Sequence, residues 1–402
     1  MRVGGRGALW VSATLLLMGA TSAGTWLFWS QRQAGIASQI PASMLKSTQF
    51  TQFVDTYRLI RHDAVWGNSP KQLLSGATNG MVGTLHDQFS NYLSPQALQG
   101  FTQLLSPRYA GIGVAVGPSM PLTVQQVFSG SPAAKAHIVP GDIITAINGK
   151  SLAQQSVAQA LSQIRGPVGG TVRLAIKHGT SVRSVRIVRQ MVSVPTVYSH
   201  MIAPHVGYMA ITEFGNNTGQ EAVAQFHQLV RQGAQGILLD LRNNPGGEVS
   251  QALTVSNLFV PKGPVVTLKY KNKAQDHTYD SQGPGTRLPV VVMVNGNTAS
   301  AAEILSAAIQ ERQGGLLVGT QTYGKGIVQE VLPLPGHAAL KLTVAKYYTP
   351  DHQYIEHVGL KPNVIVTEQP GVVPSDNPHK DPQLAKGLSI LLKRVRGTHR
   401  ST

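Results

Sequence analysis

Changes in the spacing of hydrophobic and polar positions divide the chain into five stretches. Residues 8–29 are mostly apolar and carry no charge, a length that can span a bilayer of about 30 Å. In residues 37–97, Leu73, Leu74, Ala77, Met81 and Leu85 recur at helical spacing, up to a turn at Ser94 and Pro95. Residues 98–190 combine a hairpin-like stretch rich in arginine with one helical face made of Val157, Ala160, Leu161 and Ile164. Residues 191–370 alternate strand and helix. A strand over 205–211 precedes an amphipathic helix over 219–232, with Ala222, Val223, Phe226, Leu229 and Val230 on one face. Continuous apolar runs at 236–241 and 288–294, separated by a helical stretch near 251–258, read as parallel strands buried on both faces. This pattern predicts an α/β core with its site at the C-terminal ends of the strands. In residues 371–402, Leu384, Leu388, Leu391, Leu392 and Val395 mark an amphipathic basic helix after a Pro-rich link. It is expected to dock on the core, with a membrane surface as the alternative.

The candidate chemistry lies at the end of the second apolar run. Ser300 stands among small residues (Gly296, Asn297, Thr298, Ala299, Ala301, Ala302), and Ile304, Leu305, Ala308 and Ile309 continue at helical spacing. That places the hydroxyl at a strand-to-helix turn, where unpaired N–H groups and the positive end of the helix dipole favour negative charge. A serine hydroxyl needs a group to take its proton, and no histidine falls in an obvious triad motif. Lys325, between Gly324 and Gly326, is the available base. To act so it must be neutral, which requires its pKa to fall from about 10.4 toward about 7 to 8 by burial; Leu316, Leu317, Val318, Ile327 and Val328 are the apolar neighbours in sequence. A tetrahedral intermediate also needs donors for its oxyanion. The Ala301 N–H is one candidate, and the turn Asn244-Pro245-Gly246-Gly247 after the first apolar run offers another.

Two other chemistries fail on the same residues. Gly319, Gly324 and Lys325 have the spacing of a phosphate-binding loop, but Gly326 replaces the required Ser or Thr and residues 327–332 read as strand where the motif needs a helix. A trypsin-like nucleophile in the NNPGG run is excluded by Pro245.

Residues 290–329, with GILLDLRNNPGG (236–247) before and KLTVAKYYTPDHQYIEHVGLKPN (341–363) after, resemble the carboxyl-terminal processing, or tail-specific, serine proteases. The resemblance extends over residues 55–370. It implies a crotonase-like or Clp-like α/β core with Ser300 as nucleophile, Lys325 as base 25 residues later (300 to 325), Gln329 positioning the lysine, and Gly246 completing the oxyanion hole. Four residues of plain strand would hold Lys325 and Gln329 about 13 Å apart, so their contact requires a bend that the flanking glycines permit.

Residues 98–190 resemble a PDZ domain inserted in this core. PGDIITAINGKSL (140–152) is the specific match, and in YAGIGVAV (109–116) the N–H groups around Gly111, Ile112 and Gly113 can hold a peptide's terminal carboxylate. Protein or peptide C-terminal tails are the partners this implies. Arg165, on the loop leaving the PDZ helix, resembles a family residue that couples peptide occupancy to the active site. Residues 37–97 resemble the family's N-terminal helical region, which often mediates self-association, so the resemblance implies a homodimer as an expectation. Asp351-His352-Gln353 and Pro362-Asn363 depart from the family's pattern on the substrate side, and His86-Asp87-Gln88 departs from it in the helical region.

Composition then sets the compartment. The 402 residues contain no cysteine, which excludes disulfides and thiolate metal sites, and the 13 histidines form no HExxH or comparable cluster. No metal or cofactor is expected. Arg2 and Arg6 before the apolar stretch argue for a cytoplasmic tip, and Trp26, Phe28 and Trp29 suit the outer interface. Residues 1–36 are therefore read as a single-pass anchor that leaves the bulk of the chain extracytoplasmic. A signal peptide cleaved near residues 20–23 is the alternative. The net charge of +16 has no nucleic-acid motif beside it, and attraction to anionic membrane or envelope polymers accounts for it better. A PDZ adaptor with a silent protease-like core remains the rival to an enzyme.

Overall fold

A computed structural model of the chain describes residues 41–105, 108–128, 130–368 and 375–398. The apolar stretch 8–29 lies outside them; among the described residues no helix is long and apolar enough to cross a membrane. The chain forms two units.

The first unit takes residues up to Gln99 together with Thr267–His277 and Gly326–Tyr348. Its helices Thr48–Asp63 and Pro70–Gly83 start where Ser47 and Ser69 accept the N–H of the third helical residue, Phe50 and Gln72. Among the described residues neither helix fully buries a side chain, and Phe53, Leu59, Leu74 and Met81 are exposed. The strand Ala338–Tyr348 pairs antiparallel with Ile327–Leu334 along one edge and with Asn91–Leu93 along the other. Asp87 shapes the turn before Asn91, accepting from the Phe89 N–H at 3.0 Å and the Ser90 hydroxyl at 2.6 Å.

The second unit contains the remaining described segments. A five-strand path, Val114–Val116, Leu122–Val127, Ile143–Ile147, Thr171–His178 and Ser181–Val188, closes over Ile112, Leu122, Ile144, Ile147, Leu174 and Ile176. The helix Val157–Ile164 opens with a reciprocal Ser156–Gln159 capping box and buries Ala160 and Ile164.

A mostly parallel sheet orders its strands Val197–Ala203, Val206–Ile211, Gly236–Asp240, Val290–Val294, Leu316–Gly319 and Val364–Ile365. The first pair is antiparallel and the others are parallel. The strands Gly236–Asp240 and Val290–Val294 bury every residue, as strands covered on both faces must. Alternation splits them: Leu238, Val291, Met293 and Val318 meet Leu384, Leu391 and Val395 of the C-terminal helix Pro382–Thr398, and the intervening residues face the opposite layer. There the helices Thr218–Arg231, Val249–Phe259 and Ala301–Ala308 lie side by side, with Phe226 and Phe259 edge to face at 5.6 Å.

The C-terminal helix is thus a layer of the core. Leu391 is fully buried, so Leu391→Ala is expected to cost about 2 to 4 kcal/mol, read as a lower denaturation midpoint.

Candidate active site

Ser300 is the residue immediately before the helix Ala301–Ala308, at the C-terminal end of Val290–Val294, with φ 56° and ψ −119°. An L-residue is strained there by about 1 to 3 kcal/mol. The arrangement is a sharp strand-to-helix turn of the kind that exposes a nucleophile. The loop is cross-braced: Asn295 N–H donates to Thr298 Oγ1 at 3.0 Å, and Thr298 Oγ1 donates to Leu241 O at 2.8 Å.

Glu303, three residues on, is fully buried and shares its carboxylate among four donors. Oε2 accepts the N–H of Ser300 at 2.8 Å and of Lys325 at 3.0 Å. Oε1 accepts the Gly324 N–H at 2.8 Å and the Thr322 hydroxyl at 2.6 Å. One carboxylate oxygen therefore holds the backbones of the candidate nucleophile and the candidate base together. Sequence reasoning gave Glu303 no role. The S-x-x-E spacing of Ser300 and Glu303, a capping-box signature, was the signal that could have found it.

Lys325 is half-buried. Its loop is fixed on the other side by Tyr323 N–H on Thr298 O at 3.0 Å and Leu360 N–H on Thr322 Oγ1 at 2.7 Å. Gly324 has φ 82°, and a Cβ there would lie 2.6 Å from the Gly359 N, so only glycine lets the two turns close. Lys325 ends the second unit's segment; Gln329 belongs to the first unit, half-buried on the strand Ile327–Leu334. The register of that strand with Ala338–Tyr348 shifts between Val328 and Gln329, as at a β-bulge.

The NPGG turn comes from the neighbouring strand end. A Cβ on Gly246 (φ 95°) would lie 2.8 Å from Ser300 Cβ and 2.9 Å from Ala301 N. The Ala299 N–H donates to Asn244 O at 2.9 Å, and Asn243 and Asn295 exchange hydrogen bonds at 2.9 Å. Gly246 and Ala301 are thus brought beside Ser300. The buried Ala301 N–H meets no acceptor among the described residues, whereas the Gly246 N–H donates to Asn244 Oδ1 at 2.8 Å. Glu248, directly after the turn, has its carboxyl pushed up to about 7 by burial.

In the smaller domain, Gly111 ends the strand Arg108–Gly111, Ile112 is fully buried, and Gly113 has φ 83°. Ala133 N–H holds Ile112 O at 2.8 Å and Phe128 N–H holds Gly113 O at 3.0 Å. The Tyr109 ring lies across Gly111, and the Arg165 guanidinium stacks over that ring at 5.2 Å. Among the described residues, no cluster of three or more acidic or histidine side chains could hold a metal ion.

The comparisons agree with this architecture. Residues 205–366 match peptidase family S41, residues 102–177 match the PDZ domain, and residues 14–97 match the domain described as activating protease CtpB N-terminal domain. The carboxy-terminal processing protease CtpA of Bacillus subtilis is 36% identical over 320 residues, covering 79% of this chain and 69% of that protein. The carboxy-terminal-processing protease of Bartonella bacilliformis is 30% identical over 362 residues, covering 88% and 82%. A putative S41 protease from Bacteroides fragilis shares the fold at TM-score 0.52 and 19% identity, over 84% of this chain and 96% of that one. The tricorn protease does so at TM-score 0.51 and 18% identity, over 87% of this chain and 35% of that one. The chain belongs to the carboxy-terminal processing proteases of peptidase family S41, serine-type peptidases, here carrying a PDZ domain.

Proposed function

We propose that this chain is an extracytoplasmic, membrane-anchored serine endopeptidase that takes protein C-terminal tails in its PDZ domain and cuts near them by a Ser-Lys mechanism on a crotonase-like core. The observation that carries the reading is the Glu303 carboxylate accepting both the Ser300 and Lys325 N–H groups. In the reaction, Ser300 Oγ attacks the scissile carbonyl carbon while neutral Lys325, oriented by Gln329, takes the hydroxyl proton. The oxyanion receives the Ala301 N–H; the Gly246 N–H joins by sharing or leaving Asn244 Oδ1. Lys325 returns the proton to the departing amine as the C–N bond breaks. A water then attacks the acyl-Ser300 ester and gives its proton to Lys325, and Ser300 is released with that proton.

Gly111, Ile112 and Gly113 hold the tail's carboxylate in this proposal. Arg165 senses occupancy, since its stack on Tyr109 lies beside that loop. The uncharged run 8–29 behind Arg2 and Arg6 supports the anchor. The apolar side chains that Thr48–Asp63 and Pro70–Gly83 expose among the described residues, Phe53, Leu59, Leu74 and Met81, support a homodimer through the helical region.

Three outcomes test the reading. On an unfolded protein with an apolar C-terminal tail, Ser300→Ala and Lys325→Ala are expected to lose at least about 10³-fold in cleavage while keeping tail binding; cleavage by Lys325→Ala near the wild-type rate would exclude the Ser-Lys mechanism. Glu303→Gln sets an amide N–H2 against two donors in either orientation. It is expected to cost about 2 to 4 kcal/mol, read from the urea midpoint, and to lower kcat.

Glu248 gives a pH signature. Its folded pKa, about 7, stands above the ordinary 4.5, so the folded state binds the extra proton between those values. Stability present below about pH 4.5 is lost as pH rises through about 7. Glu248→Gln should therefore raise the melting temperature at pH 8 and leave it unchanged near pH 4. The gain is about 1 to 2 kcal/mol once partial exposure is discounted.

A further inference from the structure

The segment beyond residue 366, where the S41 match ends, returns to both catalytic turns. Glu368 accepts from Asn295 Nδ2 at 2.7 Å, on the turn that leads to Ser300. Asp381, 1% exposed, accepts from Arg242 Nη1 at 2.7 Å, on the turn that leads to Gly246. Gln383 takes the same Nη1 at 3.2 Å and donates to Val366 O at 2.8 Å.

Asp381 divides its work between its two oxygens. Oδ1 accepts the Leu384 N–H at 3.0 Å and so caps the helix Pro382–Thr398, where a negative charge also suits the helix dipole. Oδ2 accepts the Ser375 N–H at 3.0 Å as well as the guanidinium. The helix it caps is pinned to the sheet by Leu384, Leu391 and Val395. The carboxylate is therefore presented by a rigid element.

Arg242 is equally confined. Its Nε donates to Asp240 Oδ1 at 2.9 Å and its Nη2 to Asp240 Oδ2 at 2.6 Å, and Tyr208 OH donates to the same Oδ2 at 2.9 Å. A guanidinium stays charged in a protein, so a buried one needs acceptors for its whole fork. Asp240 covers one side and Asp381 the other. Burial pulls the Arg242 pKa down, but the hydrogen bonds and charges of Asp240 and Asp381 outweigh it and hold the group above its ordinary value. The next residue is Asn243, at φ 58°, locked to Asn295; Asn244 then holds Ala299 and Gly246. Every step from Asp381 to the wall of the Ser300 site is a bond or a hydrogen bond, and of the residues along it only Asn243 is exposed.

We propose that Asp381 is a positioning residue for peptide hydrolysis, holding Arg242 and through it the turn 243–246 against Ser300. The proposal rests on the reading of that turn as a wall of the oxyanion hole. A turn displaced by a fraction of an ångström misaligns groups that matter only in the transition state, so the loss falls on kcat and spares KM. A carboxylate that merely docks the helix predicts instead a loss of stability alone.

The experiment compares the full chain as wild type, Asp381→Asn, Asp381→Glu, Leu391→Ala and Gly246→Ala, by steady-state cleavage of the tail-bearing unfolded protein and by thermal melting. Asp381→Asn is expected to lose about 10- to 100-fold in kcat with KM within about twofold, and Asp381→Glu, which keeps the charge, to recover most of it. Leu391→Ala loosens the same helix and is expected to melt lower yet keep wild-type kcat well below its melting temperature. Wild-type kcat in Asp381→Asn overturns the proposal, as does a loss of kcat that tracks lost melting temperature equally in Asp381→Asn and Leu391→Ala. Wild-type kcat in Gly246→Ala overturns the reading of the turn itself, whatever Asp381→Asn does.

Discussion

The site depends on one buried acceptor-only group. An ionised carboxylate has no donors of its own and tolerates burial only when its lone pairs are filled. Glu303 meets that condition with three backbone N–H groups and one hydroxyl, drawn from its own helix entrance and from residues 322–325. Because the donors come from two separate loops, the carboxylate is satisfied only when Ser300 and Lys325 are in place. The strain at Ser300 (φ 56°) is held by the same group, since its N–H is one of the four donors.

A second buried group braces the neighbouring strand end. Arg242 lies between Asp240 and Asp381, and the Asn243–Asn295 exchange joins its turn to the one that carries Ser300. The two arrangements meet at Ala299, whose N–H reaches Asn244 O one residue before Ser300. Parallel strands deliver this by geometry: Gly236–Asp240 and Val290–Val294 run in register side by side, so the loops leaving their C-terminal ends emerge together.

What the sequence made legible follows from the range of the forces involved. Continuous apolar runs mark strands buried on both faces, and Gly236–Asp240 and Val290–Val294 lie within them. A serine among small residues after such a run marks a strand-to-helix turn, and Ser300 occupies one. Turn chemistry also reads locally: Asn244-Pro245-Gly246 forms a side-chain-closed turn. Local pattern could not show that closing the turn occupies the very N–H assigned to the oxyanion. Nor could it show that Arg242 meets Asp381, 139 residues away, because no periodicity links a strand end to a helix cap across the domain. Gln329 lies on the strand Ile327–Leu334, beside a register shift that no local pattern announced. The N-terminal helices were legible as helices, yet spacing alone did not reveal that, among the described residues, Thr48–Asp63 and Pro70–Gly83 fully bury no side chain.

Stability alone does not account for where the mostly parallel sheet keeps its buried charges. Breaking even on a buried ion pair requires near-complete hydrogen bonding, and apolar side chains of similar volume often do as well or better. The strand interiors follow that economy with Val, Leu, Ile and Met throughout Ile237–Leu239 and Val290–Val294. Asp240, Arg242, Glu303 and Asp381 are instead gathered at the strand ends where Ser300 sits. Apolar contacts tolerate small sliding, whereas a forked guanidinium between two carboxylates has one good geometry. The same holds for a carboxylate shared among four donors. Groups that must hold backbone N–H positions to fractions of an ångström, beside a strained nucleophile, are the ones for which that directional constraint outweighs the cost of desolvation.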